Sequence, residues 1–447
     1  MNILYISQYF APEVCAPAVR AADLAHEWAR AGHKVKILTG FPNHPEGVLH
    51  SDYRRQWRKG FGREERNGVK IYRTWLFPAA NRGLWGRLAN YCSFALSAAI
   101  AGPWIAPRNS VVIATSPQLL VGAAGCAVAR ARKLPFVFEV RDLWPQSLEA
   151  VGAARPSSLF YRSLERIAKF LYQRADRIVV DGEWKRRALA AGGVQPEKIA
   201  VIKNGVAEDF CLEPHSAGAL SARQQLRAEF KLLDKFTVMY FGTLGMAHGL
   251  ETVLMAAERL RQWPEIVFLM VGEGAERDKI KQRIDELCLQ NLHYLGKQPR
   301  ERIPAFLAGC DACLVPLRQS EVFKTAIPSK MFEAMMAAKP VILGVEGEAK
   351  EILLEARAGI AVPPEDAEAL AVAILTLCRN LALGLELGDN GRRAVLEKYT
   401  RRHQSAAYLE LLAGLLNGVH RHPVSKRLQP TQPLQSNSRE PSATRKA

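Results

Sequence analysis

The sequence predicts an α/β protein of two doubly wound domains that face one another across a cleft. Three observations carry this. Short, strongly apolar β-rich runs alternate with helical patterns along most of the chain, the mark of parallel strands covered by helices. The runs fall into two series, separated by the turn dipeptide Asn204-Gly205 and a polar stretch to about Leu232. Finally, 447 residues exceed what one core organises, so two domains of roughly 200 residues are expected.

The first series is Ile3–Ser7, Val35–Thr39, Val111–Thr115, Pro135–Val140, Arg177–Val180 and Ile199–Ile202. The opening MNILYISQYF has no basic leader and reads as the first strand, not as a signal peptide. After it, Val19 to Ala31 is apolar at helical spacing and stops at Gly32, an ordinary C-terminal signal. The second series is Phe236–Phe241, Ile266–Val271, Leu292–Leu295, Ala312–Val315, Val341–Leu343 and Ile360–Val362. The expected division is residues 1–205 and 206–400, with the polar stretch as hinge and insertion. A helix over 401–419 is expected to pack back on the first domain. Residues 420–447, rich in Pro, Ser, Gln and Arg, cannot bury enough apolar surface to fold and read as a disordered basic tail.

Hydrophobic residues at 48% and charged ones at 23% match a soluble globular protein. The net charge of +17 attracts anions: nucleic acid, anionic lipid surfaces and phosphorylated small molecules all qualify. Among eight cysteines only Cys310 and Cys313 form a C-x-x-C, without the second pair a zinc site needs, so they read as small apolar residues entering a strand. Scattered cysteines fit a reducing cytosol. No run of 18 apolar residues occurs; Tyr91 to Ala106 comes nearest, flanked by Arg82, Trp85, Arg87, Trp104 and Arg108. Arg54, Arg55, Arg58, Lys59 and Arg63, interleaved with Tyr53, Trp57 and Phe61, suit an anionic interface. The alternative places the apolar helix in the core. No nucleic-acid motif accompanies the basic cluster, so nucleic acid is not an expected partner.

The chemistry concentrates in Lys324 to Leu343, where Glu333 sits in a helix rich in small residues behind the turn Pro328-Ser329-Lys330. A carboxylate there can accept two ribose hydroxyls while a helix N-terminus faces phosphate. The loop Gly242-Thr243-Leu244-Gly245-Met246-Ala247-His248-Gly249 follows a strand, and its glycines let backbone N–H groups approach phosphates.

These segments carry a family likeness. Glu333-Ala334-Met335 followed by Lys339-Pro340-Val341-Ile342 resembles the E-A-M-A-x-G-x-P-V-V signature of the family 4 glycosyltransferases. Their GT-B fold pairs two Rossmann-like domains. Further matches keep the family's order: Ala31-Gly32-His33-Lys34-Val35 with R-G-H-x-V, Ile202-Lys203-Asn204-Gly205-Val206 with I-P-N-G-V, and Val271-Gly272-Glu273-Gly274 with V-G-x-G, Arg277 following. Leu295-Gly296 and Asp311 to Pro316 resemble the next two strands. The likeness spans nearly everything except the tail.

The resemblance implies a UDP-sugar bound by the C-terminal domain and an acceptor bound by the N-terminal one. Glu333 would hold the ribose, the main chain at Gly296 and Lys297 would frame the base, and Gly242, Thr243, Gly245, His248 and Gly249 would face the diphosphate, with Arg277 beside them. Departures stand out. Thr325 occupies the place of the family's first acid, and Thr243 and His248 stand where its phosphate-binding Arg and Lys fall. Lys330, assisted by Lys324, is read as the replacement cation; the alternative is a solvated helix lysine. A subgroup of O-antigen and capsule enzymes, of N-acetyl-L-fucosamine-transferase and colanic-acid type, shares P-S-K-x-F-E, G-M-A-x-G-L and R-D-L-W-P, here Arg141 to Pro145.

With Glu333, Arg141 and Asp142 are therefore the catalytic candidates. Glu13, Arg20, Glu139 and Trp144 are expected on the acceptor side, the alternative for the last group being a strand-end ion pair with a packed Trp. No D-x-D occurs, so no metal or other cofactor is expected. The likeness implies a polyprenyl-diphosphate-linked saccharide as acceptor and a peripheral place on the cytoplasmic face of an inner membrane. A sugar-nucleotide epimerase of related fold and a silent sugar-nucleotide-binding protein are the competing readings.

Overall fold

The computed structural model describes residues 1–80, 84–116, 118–152 and 154–419. The tail, with its His420 and His422, lies outside the described residues, as does Arg82.

Eight strands build the first sheet: β1 (Asn2–Ile6), β2 (Lys34–Gly40), β3 (Phe61–Arg66), β4 (Val69–Thr74), β5 (Ser110–Thr115), β6 (Phe136–Glu139), β7 (Arg177–Val180) and β8 (Ile199–Val201). Their order is β3-β4-β2-β1-β5-β6-β7-β8, parallel apart from the β3–β4 hairpin. The central strands are buried on both faces, which is why they read as unbroken apolar runs.

The hairpin departs from the expectation. β3 is a charged edge strand, FGREER, whose mostly exposed side chains give no apolar alternation. Asn67 and Gly68 turn it with φ of 49° and 77°, the backbone an Asn-Gly hairpin favours.

Six parallel strands form the second sheet: β9 (Phe236–Phe241), β10 (Ile266–Val271), β11 (Leu292–Gly296), β12 (Ala312–Pro316), β13 (Val341–Gly344) and β14 (Gly359–Ala361), in the order β11-β10-β9-β12-β13-β14. The sheet order reverses between β9 and β12, so a crevice opens beyond their carboxyl ends.

The polar stretch expected as a hinge insertion contains a helix, Ala217–Glu229. Ser216 caps it, accepting from Ala219 N at 3.1 Å, and Leu226 packs against Gly309.

The chain crosses between the sheets twice, side by side. Val206 bridges Thr400, and Arg401 N donates to Val206 O at 2.8 Å. Beyond this crossing the Arg401–Val419 helix returns to the first domain. There Tyr408 meets Trp28 at 5.5 Å between ring centres, and Leu412 is fully buried.

A third link is a carboxylate clasp. Glu348 Oε1 and Oε2 accept from the main-chain N–H groups of Glu183 and Trp184, both at 2.9 Å, while Trp184 Nε1 donates to Glu351 at 3.1 Å. The first two N–H groups of the Glu183–Ala191 helix are thus satisfied from the other domain.

Candidate active site

The expected donor side lies at the carboxyl ends of β9, β10 and β11. The loop after β9 and the loop after β10 lie in mutual contact: Gly242 N donates to Val271 O and Leu244 N to Glu273 O, both at 2.9 Å. A Cβ on Gly272 would stand 1.8 Å from Gly242 O, so only glycine permits the approach. Tyr294 on β11 donates to Gly272 O at 3.2 Å and ties in the third strand. Gly242 and Thr243 are exposed here, while Gly245 is half-buried and Gly249 buried with a φ of 57°.

The Ser329–Met336 helix points its first turn at this loop, with Pro328 as N-cap and Ser329 half-buried. Lys330 is only 9% exposed. Its Nζ lies 3.0 Å from Tyr240 Oη and 4.1 Å from that ring's centre, and a Cβ on Gly242 would be 3.2 Å from it. A solvated helix lysine does not stand so; the ammonium sits under the glycine loop. Burial, weakly opposed by Glu333, brings its pKa down to about 7. Glu333, one helical turn on, is half-buried, and its carboxylate accepts no hydrogen bond among the described residues. Burial raises its pKa against the opposing fields of Lys330, Arg300 and Arg401.

The remaining donor-side candidates divide. His248 lies beside Tyr240, 6.1 Å between rings, and burial with Lys330 close by pushes its pKa well down, so it brings no positive charge at neutral pH. Thr325 is buried, its hydroxyl donating to Val322 O at 2.7 Å. Lys324 is occupied by Glu321 at 2.7 Å and Glu346 at 3.7 Å, apart from the glycine loop. Arg277 pairs with Asp278 at 2.8 Å and faces Glu273 at 3.7 Å. Gly296 takes a φ of 61°, which leaves Lys297 exposed at the end of β11.

On the opposite side, Glu139 turns inward and not toward the cleft. It is fully buried, ion-paired with Arg20, and accepts from Tyr5 at 2.9 Å and Tyr408 at 2.6 Å. Burial alone would raise its pKa, yet Arg20, Arg141 and the hydroxyls hold it at about 2. Arg20 is itself buried, with Asn204 Oδ1 at 2.7 Å. The pair ties the Ala16–Arg30 helix, β6 and the returning C-terminal helix together, so charge pairing expected at a substrate serves the domain core. Trp144 packs on that core, its Nε1 buried without a partner among the described residues. Asp142 is exposed and Arg141 half-buried, its N–H donating to Ser116 Oγ at 2.8 Å.

Glu13 holds the opening loop together. It accepts from His44 N at 2.9 Å, Asn43 N at 3.0 Å and Phe10 N at 3.3 Å, and burial outweighs these bonds to raise its pKa to about 7.

Family models match both halves of the chain: "Glycosyl transferase 4-like domain" over residues 16–205 and "Glycosyl transferases group 1" over 222–394. A probable glycosyltransferase of Pseudomonas aeruginosa, WbjE, is 30% identical over 278 residues, 61% of this chain and 67% of the relative. A relative from Escherichia coli K12 named for colanic acid biosynthesis, WcaI, is 24% identical over 386 residues, 84% of this chain and 91% of the relative. The chain belongs to the family 4 glycosyltransferases. Among solved structures, Anabaena HepE in complex with UDP-glucose superposes with a TM-score of 0.69 at 17% identity, covering 93% of this chain and all of that one. The two parallel sheets and their facing crevice are the GT-B architecture.

Two residues near the meeting of this glycosyltransferase's domains escaped the sequence reading. Arg401 stands at the domain crossing, 3.3 Å from Asp23, with its Nε buried and unpartnered among the described residues. Burial and the nearby Arg20 and Arg141 bring its pKa down to about 10 despite Asp23. His44, its ring tilted against Tyr9 at 4.8 Å between centres, feels Lys297 from the opposite domain, and burial with that charge lowers its pKa to about 4. Neither carries a local motif. Only the proximity of the β2 loop to the first strand's end, general to doubly wound sheets, would have pointed to His44.

Proposed function

We propose that the enzyme transfers a sugar from a UDP-sugar, N-acetylated and of the N-acetyl-L-fucosamine kind, to a polyprenyl-diphosphate-linked saccharide in cell-surface polysaccharide assembly. One observation carries the donor half: a buried ammonium, Lys330, beneath the exposed glycine loop, with the unpaired Glu333 carboxylate one turn away. In this reading Glu333 accepts the ribose hydroxyls and the base lies against Gly296 and Lys297. The diphosphate meets Gly242, Thr243 and Gly245 amides and Lys330. The acceptor's hydroxyl oxygen bonds to the sugar's anomeric carbon as the bond from that carbon to the β-phosphate oxygen breaks; the electron pair of the broken bond leaves with UDP, and the hydroxyl's proton passes to the departing diphosphate or to solvent. The charge that develops there falls on Lys330 and oriented amides, in place of the family's Arg and Lys, with no metal assigned a part. Arg141 and Asp142 face the acceptor from β6. The colanic-acid name of the relative from E. coli and the UDP-glucose bound by the Anabaena neighbour support the substrate classes.

A peripheral place on an anionic, cytoplasmic membrane face belongs to the same proposal. By length and composition one described helix, Trp85–Ile105, is apolar enough to cross a membrane. Its inner face is committed instead to the domain, with Phe94 and Ala98 fully buried. Its outer face exposes Trp85 by 82%, Leu96 by 65%, Ile100 by 64% and Trp104 by 90%. Trp75 adjoins this stripe through Ser97 Oγ, 2.5 Å from Trp75 O, and stacks on Trp57, whose own segment exposes Arg54, Arg55, Arg58 and Lys59. Apolar side chains bordered by cations match an interface of anionic headgroups.

The experiment is a panel of labelled UDP-sugars incubated with enzyme and a polyprenyl-diphosphate sugar, followed by product analysis. Transfer to the lipid from one donor is the expected result. Release or epimerisation of sugar without acceptor would replace the proposal by the epimerase reading, and donor binding without turnover by the silent one.

A further inference from the structure

Beside the cleft, on the N-terminal domain, lies a small, shallow pocket lined by Tyr9, Asn43, His44, Arg87, Asn90 and Tyr91, with about 210 Å³ of free space over it, bulk solvent included. Its floor is rigid. Gln8 Nε2 donates to Asn90 Oδ1 at 2.5 Å, and Asn90 Nδ2 donates to Phe77 O at 2.7 Å and Asn43 Oδ1 at 3.2 Å. Glu13 fixes the Asn43 and His44 main chain from below. None of the lining residues is acidic. Among the described residues that line it, Arg87 is the one full cation, and its Nε is buried with no hydrogen-bond partner among them. A guanidinium held against buried amides and left unpaired is a ready anion site.

The surroundings fix the rest of the ligand. Arg87, Asn90 and Tyr91 stand in the first turns of the same helix whose other face carries the exposed stripe of Leu96, Ile100 and Trp104. The exposed Phe77 forms the outer rim: its carbonyl accepts from Asn90, and its N–H donates to Ser93 Oγ at 2.8 Å. On the inner rim, His44 lies near enough to Lys297 of the second domain to feel its charge. A ligand seated here has its anionic head at Arg87, an apolar part leaving over Phe77 toward the stripe, and a far end directed at the donor.

We propose that this pocket binds the phosphate-bearing head of a lipid-linked acceptor, with Arg87 as its phosphate ligand and Phe77 as the exit for the hydrocarbon chain. The assignment rests on the reading of the enzyme as a transferase acting on a lipid-linked saccharide, and it adds the subsite.

Farnesyl diphosphate, inorganic diphosphate and farnesol serve as probes in calorimetric titrations of the full-length protein below the lipid's micelle concentration, with UDP titrated separately. Farnesyl diphosphate should bind more tightly than either fragment. Arg87→Gln should weaken it about tenfold or more, Arg87→Lys only about threefold, consistent with a lost charge-assisted contact, and Phe77→Ser should weaken it while sparing inorganic diphosphate. UDP affinity should stay within about twofold in all three variants, which also reports that they fold. Unchanged farnesyl diphosphate binding in Arg87→Gln overturns the proposal. So does farnesol binding as well as its diphosphate, or displacement of farnesyl diphosphate by UDP. Failure of the wild-type protein to bind UDP would instead strike the donor reading and leave the pocket's result to stand alone.

Discussion

Lys330 gives the sharpest test of how this enzyme handles a diphosphate. Its ammonium is buried beneath Gly242, and its pKa lies near 7 against an ordinary 10.5. At pH 8 such a group is about 10% protonated in the free enzyme, and at pH 6 about 90%. A diphosphate beside it restores the charged form, so binding at pH 8 takes up about 0.9 proton and binding at pH 6 about 0.1. Affinity therefore falls by about tenfold for each pH unit above 7. UDP-glucose is the suitable ligand, because its diphosphate keeps a constant charge over this range. Titration calorimetry at pH 8 in buffers of different ionisation enthalpy measures the uptake directly.

The same group fixes the pH dependence of the free protein. Between pH 7 and 10.5 the unfolded chain holds more protons at this lysine than the folded one, so stability rises with pH across that window. Below it, holding the charged lysine in place costs up to about 5 kcal/mol at 1.36 kcal/mol per pH unit. Lys330→Met should thus raise the melting temperature at neutral pH while weakening UDP-glucose and removing the proton uptake. Wild-type binding at pH 8 without proton uptake, or a Lys330→Met enzyme that binds as well as wild type, would refute the reasoning.

Further outcomes follow from the rest of the structure. Glu139→Ala leaves the Arg20 guanidinium buried without its partner and should cost about 3–5 kcal/mol in denaturant unfolding, a loss a surface acceptor contact would not produce. With a pKa near 2 in the folded protein, Glu139 should show no titration above pH 4 in carboxylate-resolved NMR. Gly182→Ala places a Cβ 2.3 Å from Glu348 Oε2, so it should open the clasp between domains and raise the radius of gyration in small-angle scattering; an unchanged profile would mean the clasp does not hold the domains. Leu96→Ser with Ile100→Ser should reduce co-sedimentation with phosphatidylglycerol vesicles at all salt concentrations, whereas Arg54→Ser with Arg58→Ser should reduce it mainly at low salt.

Much of the fold was legible because parallel strands covered on both faces must be apolar throughout. Phe236–Phe241 and Ile266–Val271 stand in the structure with the bounds the sequence implies. β3 was illegible for the opposite reason: an edge strand carries charges and leaves no apolar pattern. The Ala217–Glu229 helix was hidden because its buried face is little more than Ala219, Leu226 and the stem of Arg227, while its Ser216 cap resembles any loop serine.

At the site, Lys330 could be singled out because it shares one short turn with Glu333, so local spacing fixed their relation. Glu139 could not be placed. Whether a strand-end carboxylate faces a cleft or the core depends on Arg20 and Tyr408, which lie 119 and 269 residues away. Arg87 and Arg401 were beyond reach for the same reason, since each acquires its meaning from elements brought together only by the tertiary fold.

A crystal structure of the protein with UDP tests the central claim most directly. The account predicts the ribose hydroxyls on Glu333, the uracil against Gly296 and Lys297, and the β-phosphate within reach of Lys330 Nζ and the Gly242 amide. A nucleotide bound away from the Ser329–Met336 helix, or one whose phosphates turn from Lys330, would contradict it.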